Sequence, residues 1–211
     1  MKKSLFLLFA WCIAVVATAQ QKVRVYAVGF YNQENLFDTC HDAGKKDYDF
    51  LPGGSYKWDG LKYGHKLRNM ARALADLGTD VLPHVGCAVI GLSEVENRRV
   101  LEDLVRQQPL AERGYAFAHI EGPDRRGIDC ALLYNPQLFT KQTERLVPYV
   151  MREAKDSAFY TRGFFTVTGE LAGEPVAFIV CHLPSRFSGS SYREWGATQV
   201  RAVKDSLLAL N

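Results

Sequence analysis

The chain has 211 residues, 47% hydrophobic and 23% charged, with 26 Lys and Arg against 23 Asp and Glu. That is enough chain for one domain with a real core. The hydrophobic share fits a soluble globular protein, and the small charge excess excludes a protein that clings to nucleic acid by bulk charge.

Met1-Lys2-Lys3, the apolar stretch Ser4 to Val16 and the A-x-A site Ala17-Thr18-Ala19 follow the order of a secretory signal peptide. Cleavage after Ala19 is predicted, placing the protein in a secreted or periplasmic compartment. The apolar run is short for a membrane span, and no comparable run follows it. The 192 residues from 20 to 211 form one predicted domain, without an internal repeat, low-complexity tract or linker. Loss of Lys2 and Lys3 leaves 24 Lys and Arg against 23 Asp and Glu, a net charge of +1. Phosphate recognition would therefore be local, through a few arginines or a metal ion. Cys40, Cys87, Cys130 and Cys181 remain, with no C-x-x-C to signal a zinc or redox motif. Their pairing is left open by the sequence.

Val23 to Tyr31 alternates and is rich in β-formers, predicting a strand that runs into Asn32-Gln33-Glu34-Asn35. The polar segment from Thr39 to about Gly64 carries His41, Asp42, Asp47 and Asp49, but at spacings that fit no compact ligand loop. It reads as a solvated loop over the sheet edge. His65 to Leu77 is a helix with Leu67, Met70, Ala71, Leu74 and Leu77 on one stripe, stopped by Gly78. Ala88 to Leu92 is an unbroken apolar run, the pattern of a strand covered on both faces. It delivers Glu94 at its carboxyl end, where open α/β sheets place ligand crevices. A helix over Val100, Leu101, Leu104 and Val105 follows, with Asn97 as its cap. Tyr115–Ile120, Ile128–Tyr134, Gln142–Val150, Phe164–Leu171 and Val176–Cys181 are predicted strands, the last two a hairpin around Gly173-Glu174. From Tyr192 to Leu210 the spacing is helical, with Trp195, Val200, Val203 and Leu207 facing the core.

The sequence contains no G-x-S-x-G elbow, no G-x-x-x-x-G-K-[ST] loop and no H-E-x-x-H helix. Cys181 and His182 are strand neighbours that point to opposite faces, so they do not form a thiol–imidazole pair. What remains is a polar residue at the end of several strands: Asn32, Glu94, Asp129 beside Arg126-Gly127, and His182 leading into Ser185-Arg186. Singly, each reads as a turn, surface or solvated loop residue. Repeated at strand termini from distant segments, they are what a shared crevice would produce. Asn with Glu suits Mg²⁺ or Mn²⁺ better than zinc, and Arg with His suits a phosphate.

Four segments then appear in a fixed order: Phe30-Tyr31-Asn32-Gln33-Glu34-Asn35-Leu36-Phe37-Asp38, Gly91-Leu92-Ser93-Glu94-Val95-Glu96-Asn97, Arg126-Gly127-Ile128-Asp129-Cys130-Ala131-Leu132-Leu133-Tyr134 and Cys181-His182-Leu183-Pro184-Ser185-Arg186. In these the sequence resembles the endonuclease/exonuclease/phosphatase superfamily with the deoxyribonuclease-I-like fold, in a secreted bacterial form. The resemblance implies an α/β fold, a four-layer sandwich of two mixed sheets flanked by helices, of which this chain holds the N-terminal portion. It implies metal binding by Glu94 and Asn32, a catalytic hydrogen bond from His182 to the scissile phosphate, and substrate contacts from Arg126 and Arg186. The implied cofactor is Mg²⁺ or Mn²⁺ and the implied reaction is hydrolysis of a phosphate ester by in-line attack of water. A nucleic acid or other phosphodiester is the expected partner, with no stable protein partner implied.

The family's later Asp-x-Asn and Asp-His segments, which serve water activation and leaving-group chemistry, do not occur in these 211 residues. The expectation is an incomplete domain that is inactive alone. Three readings follow: a secreted nuclease or phosphodiesterase, a phosphodiesterase or phosphatase for phospholipid head groups or small esters, and a non-catalytic secreted binding module.

Overall fold

A computed structural model describes residues 24–150 and 161–209. The predicted leader lies outside the described residues. Among the described residues, seven strands and three α-helices follow in chain order: β1 (Ala27–Leu36), α1 (Gly60–Asp76), β2 (Cys87–Val95), α2 (Arg98–Val105), β3 (Ala116–His119), β4 (Asp129–Tyr134), β5 (Phe139–Val147), β6 (Phe164–Leu171), β7 (Glu174–Val180) and α3 (Ser190–Leu208).

The strands form two sheets. The first has the order β1-β2-β4-β3 and the second β5-β6-β7. In the first, β1 and β2 run parallel while β2–β4 and β3–β4 are antiparallel. The second is antiparallel throughout its three described strands, not mixed as expected. Its connections explain why: β5, β6 and β7 are consecutive in the chain, and the short Ala172-Gly173 turn, with both residues at positive φ, closes β6 and β7 as a hairpin.

Apolar burial sorts into three layers of contact. Leu67, Ala71 and Leu74 of α1, with Val100, Leu101 and Leu104 of α2, pack on Ile90, Leu92, Ala131 and Leu133 of the first sheet. Val89, Cys130 and Leu132 meet Phe139, Phe165, Val167 and Val180 between the sheets. Phe164 and Tyr149 pack beneath Val203 of α3 on the outer face of the second sheet. The four-layer sandwich is therefore present, helix–sheet–sheet–helix. Each large side chain fully buried in it contributes roughly 1.5–3 kcal/mol of hydrophobic stabilisation. Gly91 permits the close approach of the sheets: a Cβ there would lie 3.2 Å from Phe30 and 3.3 Å from Val180. The β1 edge away from β2 and the β7 edge away from β6 carry no further strand among the described residues. Val28 and Phe30 on that flank are 55% and 54% exposed.

Local sequence accounts for the helix starts. Asp59 accepts from the Lys62 amide at 2.9 Å, starting α1 five residues before the predicted His65. Asn97 accepts from the Val100 amide at 3.1 Å and starts α2 as predicted. Such a cap is worth about 1 kcal/mol. The 39–59 segment is largely exposed, as expected of a solvated loop, but is anchored at two points. Phe50 stacks on buried Phe37 at 4.1 Å, and the buried Asp47 carboxylate accepts from the Asp42 amide and meets His41 Nδ1 at 2.5 Å. Among the described residues, Cys40, Cys87, Cys130 and Cys181 are free thiols.

Candidate active site

The parallel register of β1 on β2 places Asn32 opposite Ser93, beside Glu94. Beyond that pair the register breaks, resuming at Leu36 opposite Val95. The extra residues of β1 are accommodated by Glu34 and Asn35 at φ of +52° and +62°. On the other side of β2, Ser93 pairs with Cys130 and Val95 with Asp129, so Glu94 is the unpaired residue of a bulge, at φ of +60°. A bulge re-aims a side chain that regular pairing would have pointed elsewhere. Three non-glycine residues in the left-handed region within one small volume mark a backbone held against its intrinsic preference.

That backbone gathers donors around the Glu94 carboxylate. Oε1 accepts from Asn32 Nδ2 at 3.2 Å and lies 3.3 Å from His182 Nε2. Oε2 accepts from the Asn35 amide at 2.8 Å. The Asn32 Oδ1 in turn accepts from the Glu34 amide at 2.7 Å. His182 follows directly after β7, on the opposite sheet, so the cluster bridges the two layers.

Burial, reinforced by the Arg162 guanidinium, pushes the His182 imidazole down to about 4, against the opposing pull of Glu94. His182 is therefore neutral at neutral pH, and the carboxylate oxygen beside Nε2 places the proton on that nitrogen. Its Nδ1 is buried without a partner.

Arg162 is the residue that sequence reasoning missed. It is only 9% exposed, pairs with Asp124 Oδ2 at 2.9 Å, and donates to the backbone oxygens of His182 at 3.2 Å and Leu183 at 3.3 Å. It ties the His182 segment to the 121–127 loop that carries Arg126. That loop is also held from below: Asp124 Oδ1 accepts from the Arg126 amide at 2.9 Å, and Lys45 Nζ donates to Gly122 O at 2.9 Å. Arg126 reaches the site, its Nη1 lying 3.4 Å from Asn35 Oδ1.

Together Glu94, His182, Arg126, Arg162, Asp124 and buried Thr161 line a cleft of about 370 Å³. Asn32, Glu94, His182 and Arg126 are thus brought together as expected. Arg186 is exposed in a 3-10 turn (Arg186–Ser188) and does not line the cleft, although its neighbours Ser185 and Ser188 do. Asp129 is buried, with its carboxylate turned to the Gly122 amide and to His119, 3.5 Å away.

Among the described residues, no group of three or more His, Cys, Asp or Glu side chains could hold a metal ion. The donor set is narrower: one carboxylate and one amide oxygen. That fits a hard cation of the Mg²⁺ type, which keeps most of its waters and is bound through one or two carboxylates. It does not fit a zinc cage.

A mixed sheet packed on a second sheet, helices on both outer faces and a carboxylate–histidine–arginine cleft at the strand ends define an α/β sandwich of the deoxyribonuclease-I-like class. The profile of the Endonuclease/Exonuclease/phosphatase family matches residues 27–211, and the chain belongs to that family. No curated protein matches it by sequence. Among solved structures, TDP2 from C. elegans is 16% identical with a TM-score of 0.50, over 79% of this chain and 43% of its own. A humanized D. rerio TDP2 is 15% identical with a TM-score of 0.51, over 84% and 54%. SmcL is 15% identical with a TM-score of 0.50, over 88% and 58%. The chain thus spans about half the length of these structures, and at such identities the likeness is one of fold.

Proposed function

We propose that this chain carries part of the active site of an exported, metal-assisted hydrolase of phosphate esters, a nuclease or phosphodiesterase. The observation that carries the reading is the meeting of Glu94 near the end of β2, His182 just beyond β7 and Asn32 within β1, which runs on to Leu36 instead of ending at Asn32 as expected, beside a cleft rimmed by Arg126 and Arg162. Family membership supports the same reaction class.

Glu94 and Asn32 would hold the Mg²⁺ or Mn²⁺ ion, whose charge neutralises the phosphoryl oxygens as they develop negative charge. Neutral His182 keeps its Nε2 proton at neutral pH and donates it as a hydrogen bond to a non-bridging phosphate oxygen. Arg162 fixes the backbone that carries this imidazole, and Arg126 presents a cation at the cleft mouth. These groups work by position and electrostatics, so no covalent nucleophile is required of the chain.

A nucleic acid strand or another phosphodiester is the proposed substrate. The near-neutral charge of residues 20–211 favours a small phosphate ester as the second reading, because duplex binding draws on several cationic contacts. The test uses the full reading frame that encodes this chain, assayed on plasmid DNA and on bis-p-nitrophenyl phosphate with Mg²⁺ and Mn²⁺ in turn. Turnover that is lost on chelation and in E94Q supports the assignment. Full turnover by E94Q removes it. Steep loss of binding with salt identifies the nucleic acid, and a shallow dependence the small ester.

A further inference from the structure

Lys66 lies on α1, outside the four segments that define the site. The buried stripe Leu67, Ala71 and Leu74 fixes the helix against the first sheet, and this leaves Lys66 directed at the β1 bulge. Its ammonium donates to the Glu34 carbonyl oxygen. Beneath it lies the Trp58 ring, with Nζ 5.9 Å from the centroid. The ring is itself fixed by a 3.0 Å bond from Trp58 Nε1 to the Phe37 carbonyl.

The carbonyl of Glu34 and the amide of Asn35 are the two ends of one planar peptide group. Lys66 holds its oxygen; the Glu94 carboxylate accepts from its N–H at 2.8 Å. A cation at the oxygen draws electron density from the nitrogen, which makes the N–H a stronger donor, and chained hydrogen bonds of this kind strengthen one another. The same contact fixes the plane of a peptide whose flanking residues, Glu34 and Asn35, both sit at positive φ. Without the ammonium, that plane is free to turn and Glu94 Oε2 loses its backbone donor.

We propose that Lys66 is a positioning residue for the Glu94 carboxylate, acting through the single peptide group that joins Glu34 to Asn35. Oε2 is thereby held, which fixes the plane of the Glu94 carboxylate. The proposal rests on the reading of Glu94 as a cation-holding carboxylate and adds to it a charge two layers out. Outer contacts of this type are worth about 10–100-fold in metal affinity.

The test compares K66M and K66R with the parent protein in two measurements. The first is the ¹H–¹⁵N amide spectrum without metal. The second is Mn²⁺ affinity by titration calorimetry. In K66M the Asn35 amide proton is expected to move upfield as its bond to Glu94 weakens, and Mn²⁺ binding to fall about tenfold or more. K66R, which keeps charge and donor, is expected to restore most of both. An unmoved Asn35 resonance in folded K66M overturns the proposal, as does a K66R variant as impaired as K66M. Should K66M lose its dispersed spectrum, K66Q, similar in shape but uncharged, takes its place in both measurements. A parent protein that binds no Mn²⁺ defeats the reading of Glu94, whereas the Asn35 resonance still decides the role of Lys66.

Discussion

The two ends of β2 each open onto a cleft lined by ionisable side chains, and the two differ in how those side chains are held. At its amino end, about 640 Å³ is enclosed by Pro83, His84, Pro109, Glu112, Arg113 and their neighbours. Arg113 there is occupied with backbone, donating to the carbonyls of His84 and Ala75 at 3.0 Å each. At the carboxyl end the cleft is little more than half that size, and the Glu94 and Asp124 carboxylates, the His182 imidazole and three guanidinium groups line it. Convergent charge on a strained backbone, not volume, distinguishes a site.

Substitutions at the small cleft should therefore act on turnover and those at the large one should not. The greatest effect is expected from E94Q, which removes a hard oxygen ligand without opening a cavity. Turnover should fall by at least about a hundredfold, with the thermal unfolding midpoint nearly unchanged. H182A should lower kcat by a similar order, about 10²-fold, but leave Mn²⁺ affinity mostly intact in calorimetry. A parallel loss of metal binding would contradict the role given to His182.

R162M breaks a nearly buried ion pair and leaves Asp124 uncompensated, so a cost of about 3–5 kcal/mol is expected in denaturant unfolding. Because Arg162 helps to hold the His182 imidazole down, an NMR titration of the variant should show that group moving up from about 4 toward its ordinary value. An unmoved titration would separate Arg162 from the electrostatics of the site. At the large cleft, R113M should cost about 1 kcal/mol through its lost backbone hydrogen bonds and leave turnover unchanged. Reduced turnover there would erase the contrast between the two ends.

Glu96, two residues beyond Glu94, gives a subtler contrast within the same strand end. Its side chain is buried and accepts from the Asp38 amide at 2.7 Å. Burial, together with Asp38, Asp42 and Asp47, pushes its carboxyl up to about 8 from 4.5. The native state then holds a proton that the unfolded chain has already released, and stability falls as pH rises from about 4.5 through 8. E96Q should flatten that slope and unfold at a higher temperature than the parent at pH 8.5, with little difference near pH 5. An identical slope in E96Q would assign the pH dependence to another group.

Much of this site was legible because its residues sit where periodic segments end. Glu94 closes an apolar run, and His182 closes the last predicted strand. Asn32 follows an alternating one. Arg162 was not legible. It precedes β6 in a stretch with no periodicity, and its partners are a carboxylate 38 residues upstream and two backbone oxygens, which leave no pattern in sequence. Lys66 was hidden for the opposite reason: on an amphipathic helix it reads as one more solvated charge. The 39–59 segment is the mostly exposed loop expected, but its anchors, Phe37–Phe50 stacking and the buried Asp47, were not legible because both are contacts across loops.

The left-handed residues at the site carry a consequence for any search for hardier variants. Glu34 is exposed, and its side chain is not what holds the Glu94 carboxylate; only its backbone is. Glycine adopts its φ of +52° without steric penalty, so a selection for heat resistance alone would find E34G attractive. The same exchange would slacken the peptide that holds Glu94. Directed evolution of this protein would thus set endurance against turnover at an exposed residue whose backbone, not its side chain, serves Glu94.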